Sequence, residues 1–580
     1  MAGLAVLAKF PRFETRVRPF MTLAKTHGFT RWFAIVGLFF IAVIGLILRF
    51  WCAGDMFIFA DEIHSLECCI TRSFSWIITH FSESDACIPL TLYNKALLET
   101  VGLTELGMRL PSLIPGAMLV TGTIFVLWRI VSPVEAVLSA GIIAFSPYLV
   151  YIAREARPYS MVVLLFNGAL MALFLWIGSR KRGFYLVVSA VCSSLCLYFH
   201  PVFAPSLAVI MACPLCLILF KDGYRDLWKQ WLFSALLFLG LTVVLLGPSM
   251  SSFLEGLGQK GGAGTADLHT MKHGLLLILG LPGMIPFWIW PALGCAGALS
   301  LGRRYPWETA CCLVILLFQT AVLFWIQPQL LEIPWVWLRY MVHLIPVFIV
   351  AIVCGLTGIL KRIIVFSIPG RFSLAGAFTV VAFFLIYHQV SLHYRVDTHN
   401  RFNAHPMTSF LPDVQKMSEF KMIVPSFYTN VLDKLPPGDI VEIPLLFTFP
   451  LYGMYQNFHS RNVLTAPAGK GFDQDLFTKH PGVRFKTIVC SNMNKTVEPR
   501  YLIVHKKIKE ELVGAYNVLR KNPLMEGQIG RMNSLFDDYL LDVLFGRGDI
   551  IPGLCGSQVK GVPIYEDLYV AVYQVNGVKP

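Results

Sequence analysis

A chain of 580 residues that is 56% hydrophobic, 14% charged and of mean hydropathy +0.63 carries more apolar side chain than a soluble core can absorb, which excludes a water-soluble globule. The formal charge of +13 invites a nucleic-acid partner. The basic clusters lie beside apolar runs, however, where anionic lipid and membrane topology account for them, and no nucleic-acid module is spelled in the chain.

In chain order, residues 1–32 form a basic arm, with Lys9, Arg12, Arg16, Arg18, Lys25 and Arg31 against Glu14, and the positive-inside bias places it in the cytoplasm. The apolar run at 33–50 reads as an uncleaved anchor. A loop over 51–109 follows, in which "SLECCITRSFSWIITHF" mixes apolar faces with occasional charges, as interfacial helices do. Further runs long enough to cross roughly 30 Å of hydrocarbon lie at 110–128, 134–150, 160–178, 184–199, 202–220, 231–248, 275–300, 309–327, 340–360 and 374–394, giving about eleven spans.

Alternation from a cytoplasmic N-terminus keeps Arg180-Lys181-Arg182, Lys221 to Lys229, Arg303-Arg304 and Lys361-Arg362 inside, so span count and charge bias agree. Residues 249–273 are expected to form a Gly-rich outer loop, a lid over a site. Its Gly256-x-Gly258-x-x-Gly261 follows a membrane span rather than a strand, so it is no dinucleotide fingerprint. Residues 395–580 fall outside. There 439–447, 485–490, 500–505 and 567–575 read as strands and 509–521 as a helix. The expectation is a polytopic α-helical membrane protein, residues 33–394 in the membrane, with a C-terminal extracytoplasmic α/β domain.

The strong polar clusters of the membrane half fall at expected outer ends of spans: Asp61-Glu62, Asp85, Arg154-Glu155-Ala156-Arg157, His200 and Arg339-Tyr340. Any one of them is explained as an interfacial charge that snorkels or pairs. Their convergence on one face points to a shared site. Arg154 is expected to face headgroups, and His200, before Pro201, to be a turn residue.

Five stretches carry a likeness to a known family. "ADE" after the first span looks like an acidic pair, and "DACIPLTLY" (85–93) looks like a worn "D-x-H-P-P-L-Y-Y". "LTELGMRLPSLIPGAM" (103–118) is similar to "SELALRLPSLLFG", "SPYLVYIAREARPYSM" (146–161) to "SPFLIYYSQEARMYSL", and "WLRYMVHLIPV" (337–347) to "PRYLLFLLP". In this order, across residues 33–360, they resemble the GT-C superfamily of membrane glycosyltransferases, in particular the branch of protein O-mannosyltransferases and lipid A aminoarabinose transferases. Where that family has His-Pro or Lys-Pro, this chain has Cys87 and Ile88.

The resemblance implies a GT-C-like fold of about eleven transmembrane helices in a bacterial inner membrane, with the C-terminal domain periplasmic. It also implies transfer of a sugar from a polyprenyl-phosphate donor to a lipid, glycan or protein acceptor. Such chemistry needs a carboxylate to take the acceptor proton, for which Asp61 is the choice, with Glu62 or Glu155 orienting the acceptor or tuning the base. The departing lipid phosphate calls for fixed cations, Arg339 first and Arg157 second. Asp85, Tyr93, Tyr159 and Tyr340 are candidate substrate contacts. A divalent cation on Asp61, His64 or Asp85 lacks the fixed spacing of a dedicated motif, so the metal is left unassigned. A lipid-sugar flippase or a non-catalytic scaffold is the rival reading; a flippase should place its charges at mid-bilayer in repeated halves.

Overall fold

The computed structural model describes residues 28–51, 53, 54, 62, 64–81, 87–179, 183–260, 268–279, 288–328, 331, 334–367, 425–436, 440–443, 463, 464, 482, 483, 500–506 and 563–574. After the first long helix, α1 (Gly28–Phe50), three helices form the layer at one end of the bundle: α2 (His64–Thr71), α3 (Phe74–Thr79) and α4 (Ile88–Thr100). The first two occupy the stretch expected to lie in the interface. Ser73 caps α3, its hydroxyl accepting from the Trp76 N–H.

The bundle continues with α5 (Glu105–Ile130), α6 (Pro133–Phe145), α7 (Pro147–Arg154), α8 (Tyr159–Ser179), α9 (Gly183–Phe199), α10 (Ala204–Phe220) and α11 (Trp228–Leu246). Then come α12 (Met250–Lys260), α13 (Leu268–Leu279), α14 (Ile289–Arg304), α15 (Pro306–Ile326), α16 (Pro334–Met341) and α17 (Ile345–Ser367). Local sequence sets several starts. Thr104 caps α5, and Ser132 with Glu135 closes a reciprocal capping box at α6 ahead of Pro133.

Six stretches among the described residues are long and apolar enough to cross a membrane: Glu105–Trp128, Tyr159–Ser179, Pro201–Phe220, Arg225–Glu255, Pro306–Ile326 and Val336–Leu360. The pair Pro133–Phe145 and Tyr148–Arg154, bent by 50°, makes a seventh if it is one span. Two of the expected eleven runs differ from this. The run at 33–50 falls within α1, 23 residues long, whereas Gly183–Phe199 is apolar but shorter. The run at 275–300 falls on two helices, α13 and α14, separated in sequence by Pro282, Gly283 and Pro286, which cannot continue a helix well. The run at 374–394 lies outside the described residues. Met250–Lys260, expected as a Gly-rich loop, is helical, and its Ser252 hydroxyl accepts from the Phe81 N–H at 2.7 Å beside a Phe81–Phe253 ring contact.

Glycines set the closest helix approaches. Any Cβ on Gly297 would run into the Ala351 carbonyl, and one on Gly355 into that of Leu293, so α14 and α17 touch backbone to backbone. Gly116 likewise lets α5 meet Ala153 of α7. The core around α8 is apolar and closed, with Trp176, Phe166, Val162 and Leu173 fully buried.

Beyond the bundle lies a five-stranded sheet of β1 (Ile440–Ile443), β2 (Val463–Leu464), β3 (Tyr501–His505), β4 (Tyr565–Glu566) and β5 (Val570–Gln574), ordered β2-β1-β3-β5-β4. The first three are parallel, while β5 runs antiparallel to β3 and β4. The expected strands at 439–447, 500–505 and 567–575 correspond to β1, β3 and β5; those at 485–490 and the helix at 509–521 lie outside the described residues. Val483 joins sheet-side chain to bundle, forming a parallel bridge with Leu103 whose N–H donates to the Gly482 carbonyl at 2.7 Å.

Candidate active site

At the end of the bundle where α1 stops, its last carbonyls are held by arginines from other helices. Arg154, at the close of α7, donates to the Trp51 carbonyl at 3.0 Å and reaches that of Leu48 at 3.5 Å. It is buried, so it does not face headgroups: the carbonyls left over by α1 offer the guanidinium acceptors that lipid would otherwise supply. Arg49 works in the opposite direction, donating from α1 to the Ala144 carbonyl at 2.9 Å and the Ile143 carbonyl at 3.5 Å at the end of α6.

One layer further out sits a buried ion pair. Arg109, in the first turns of α5, donates through Nε and Nη2 to both carboxylate oxygens of Glu62, at 2.9 and 2.8 Å, and through Nη1 to the Ala53 carbonyl at 2.9 Å. Glu62 Oε1 also accepts from the Ala156 N–H at 2.7 Å. Arg109 is 0% exposed and Glu62 4%, so the charges are satisfied by each other and by backbone rather than by water. The pair thus ties the acidic stretch after α1 to α5 and to the turn following α7.

That turn carries the next charges. Past Arg154 the chain leaves the helix at Glu155, in an extended conformation, and closes tightly as the Arg157 N–H donates to the Glu155 carbonyl at 2.7 Å. Ser112 of α5 donates to the Arg157 carbonyl at 2.6 Å, fixing the far side. Glu155 and Arg157 are both buried. Arg339 of α16 comes to Glu155, Nη2 to Oε1 at 3.7 Å, and its guanidinium lies 5.5 Å from the centre of the Tyr159 ring, within cation–π range. Tyr159 in turn stands 5.8 Å from the His200 ring. The phenol of fully buried Tyr148 shares this neighbourhood.

The structure therefore brings Glu62, Glu155, Arg157, Tyr159 and Arg339 to one end of the bundle, although Glu62 and Arg339 are 277 residues apart in the sequence. Tyr93, from α4, is directed elsewhere: its hydroxyl donates to the Gly107 carbonyl at 3.0 Å, and burial raises its pKa. The carbonyl of half-buried Tyr340 accepts from Gln319 at 3.3 Å. Cys87, where the resembled family has His or Lys, is buried among Leu90 and Met161. Asp61 and Asp85 lie outside the described residues, as does the side chain of His64. Among the described residues no group of three or more His, Cys, Asp or Glu side chains is gathered to hold a metal ion.

Arg109 went unrecognised in the sequence although it stands inside "GMRLPSL". A lone arginine in the first turns of a span reads as an interface charge, and its carboxylate partner lies 47 residues away. The signal was an arginine whose position inside an apolar run demands an acceptor.

No family model matches the chain, and no curated protein matches it. Solved structures do. The archaeal oligosaccharyltransferase AglB from Archaeoglobus fulgidus, in complex with an inhibitory peptide and a dolichol-phosphate, is similar at 12% identity, over 87% of this chain and 72% of that one, with a TM-score of 0.44. ArnT from Cupriavidus metallidurans in the apo state is similar at 12% identity, over 92% and 97% of the two chains, with a TM-score of 0.43. For ArnT of the same organism bound to undecaprenyl phosphate the corresponding values are 12%, 94%, 98% and 0.42.

Proposed function

We propose that this chain is a membrane glycosyltransferase that moves a sugar from a polyprenyl-phosphate donor to an acceptor hydroxyl on the extracytoplasmic face. The observation that carries the reading is the gathering of Glu62, Glu155, Tyr159 and Arg339 at one end of an apolar bundle, around the turn at Glu155–Arg157. A lipid-tailed donor suits such a place: its tail stays in hydrocarbon while its phosphate meets fixed cations. Three of the stretches of family likeness carry these residues: the one that ends at Glu62, the one over the α7–α8 turn and the one on α16.

In this mechanism Asp61 takes the proton from the acceptor hydroxyl as its oxygen bonds to the anomeric carbon, and the bond from that carbon to the donor phosphate oxygen breaks. One displacement inverts the configuration. Negative charge grows on the departing phosphate, and Arg339, with Arg157 behind it, stabilises it. Arg339 is already balanced by Glu155, so the phosphate has to compete for the guanidinium, and the 3.7 Å contact leaves it room to do so. Glu62, with both oxygens held by Arg109, acts by fixing where its neighbour Asp61 stands rather than as a base.

Sugar transfer assayed in sealed vesicles with the full chain tests this. Asp61→Asn is expected to slow turnover by roughly a hundredfold to ten-thousandfold, the usual contribution of a general base. Loss of a charge-assisted bond worth about 1.5–3 kcal/mol in Arg339→Ala should slow it by roughly tenfold to a hundredfold. Unchanged transfer in Asp61→Asn removes the mechanism, and transport of the lipid-sugar without transfer points to a flippase.

A further inference from the structure

Inside the bundle, below Arg339, four polar side chains from four elements meet. The helix α16 does not run straight into α17: Met341 sits at φ −110°, ψ 0°, and Val342–Leu344 form a 3-10 turn. A break of this kind within apolar surroundings frees backbone carbonyls that must find other donors. Gln319 of α15 supplies one, its Nε2 donating to the Tyr340 carbonyl at 3.3 Å and to the Val202 carbonyl at 3.3 Å. Those two carbonyls fix the amide orientation, so Oε1 is the acceptor facing Ser206 of α10, whose hydroxyl donates to it at 3.0 Å. With its one proton committed, the Ser206 oxygen accepts from Nε2–H of His343 at 2.8 Å. The His343 carbonyl takes the Asn167 amide of α8 at 3.1 Å. Gln319, Ser206 and His343 are all fully buried.

The network bears on Arg339 through helical register. Arg339, in the last turn of α16, and His343, in the 3-10 turn just past the break, are four residues apart. Both land on one face of α8: the guanidinium lies over Tyr159, and the imidazole packs edge-on against Phe166, seven residues or two turns later, at 4.4 Å. On its other side His343 meets Phe203 at 4.7 Å, and Phe203 meets His200, which meets Tyr159. The lower end of the Arg339–His343 segment is thus pinned by directional bonds and two rings. The upper end is held by a 3.7 Å ion contact and a ring face. A slip of one residue at the lower end would turn Arg339 by about 100°, away from Glu155.

We propose that the buried Gln319–Ser206–His343 network is a positioning device that sets the register of the α16–α17 break and so aims Arg339 at the donor phosphate. Gln319 and His343 are positioning residues that touch no substrate. The proposal rests on the reading of Arg339 as the phosphate-binding cation.

The test is equilibrium binding of undecaprenyl phosphate, as a polyprenyl monophosphate probe, to the full chain in phosphatidylcholine nanodiscs. Arg339→Ala is expected to weaken binding tenfold or more. His343→Phe, which keeps a ring but removes the Nε2 donor, is expected to do the same, whereas His343→Gln, which restores a donor near that position, should stay within threefold of the native chain. The combined His343→Phe, Arg339→Ala chain should bind no more weakly than Arg339→Ala alone, because the histidine acts only through the arginine. Gln319→Met keeps side-chain length and removes both donated bonds; it gives the same comparison where His343→Phe does not fold. Full additivity with Arg339→Ala, or native binding by His343→Phe or Gln319→Met, overturns the positioning proposal while leaving the proposed function standing. Native binding by Arg339→Ala overturns both.

Discussion

Two kinds of basic residue occur in this chain, and burial separates them. Arg49, Arg109 and Arg154 are buried and donate to carbonyls or a carboxylate, whereas Arg225, Arg303 and Arg304 are exposed. The first group organises the site and the second addresses the membrane surface. Arg109 is the residue on which most depends, since it pairs with both carboxylate oxygens of Glu62. Removing it leaves a carboxylate buried beside the Ala156 N–H, and breaking a buried pair in this way typically costs about 3–5 kcal/mol. Arg109→Ala is therefore expected to lower the thermal unfolding temperature of the detergent-solubilised chain strongly. Combining it as Arg109→Met with Glu62→Leu should recover much of that stability, because no uncompensated charge remains, while sugar transfer stays lost, because in the proposed mechanism Glu62 orients its neighbour Asp61. Recovery of transfer in the apolar pair would show that the clamp plays no part in positioning.

Between elements, α14 and α17 cross backbone to backbone at Gly297 and Gly355. Each Cβ position there is occupied by backbone of the other helix, which has no rotamer to change. Gly297→Ala or Gly355→Ala must push the helices apart, a strain of about 1–3 kcal/mol or more by analogy with overpacked cores. The expected readout is a lower unfolding temperature, with Gly358→Ala, whose Cβ meets open space, as the neutral comparison.

In the sheet the turn into β5 is held electrostatically. Burial works to raise the Asp567 pKa, but donation from the Val570 and Tyr569 N–H groups and from the Tyr565 and Ser426 hydroxyls outweighs it and leaves the carboxyl below its ordinary value of 3.8. A carboxyl lowered on folding contributes stability above its unfolded pKa and loses it as pH falls through the folded one. Amide exchange at Tyr569 and Val570 should therefore be protected at neutral pH and accelerate only below about pH 4. In Asp567→Asn that acid dependence should disappear.

At the scale of the molecule, what was legible in the sequence is what depends on local pattern. Long apolar runs gave most of the bundle, alternating apolar residues gave β1, β3 and β5, and "AREARPYSM" placed Glu155, Arg157 and Tyr159 together because they share one turn. Pairings between distant segments were not legible. Glu62 with Arg109, Arg154 with the end of α1, and Gln319 with Tyr340 each join residues that no window contains, and the helix pair at 275–300 escaped because hydropathy does not register prolines.

One long-range feature follows from charge alone, the direction in which the molecule sits. Lys221 lies 5.1 Å from the Trp307 ring, so the α10–α11 connection and the start of α15 occupy the same end, the end that carries the exposed Arg225, Arg303 and Arg304. The opposite end holds Ser73, exposed between α2 and α3, because Phe81, just past α3, bonds Ser252 beyond the far end of α11 from Arg225. If anionic lipid and the insertion machinery retain the exposed cations in the cytoplasm, the candidate site faces outward, where nucleotide sugars are absent and only a lipid-linked donor reaches it. Ser73→Cys should then react with a membrane-impermeant maleimide in intact cells, while Asp222→Cys reacts only after permeabilisation, each measured as mass added beyond that of the native chain treated alike. The reverse pattern would put the site on the cytoplasmic side, open it to nucleotide-linked donors, and remove the physical reason for a polyprenyl phosphate.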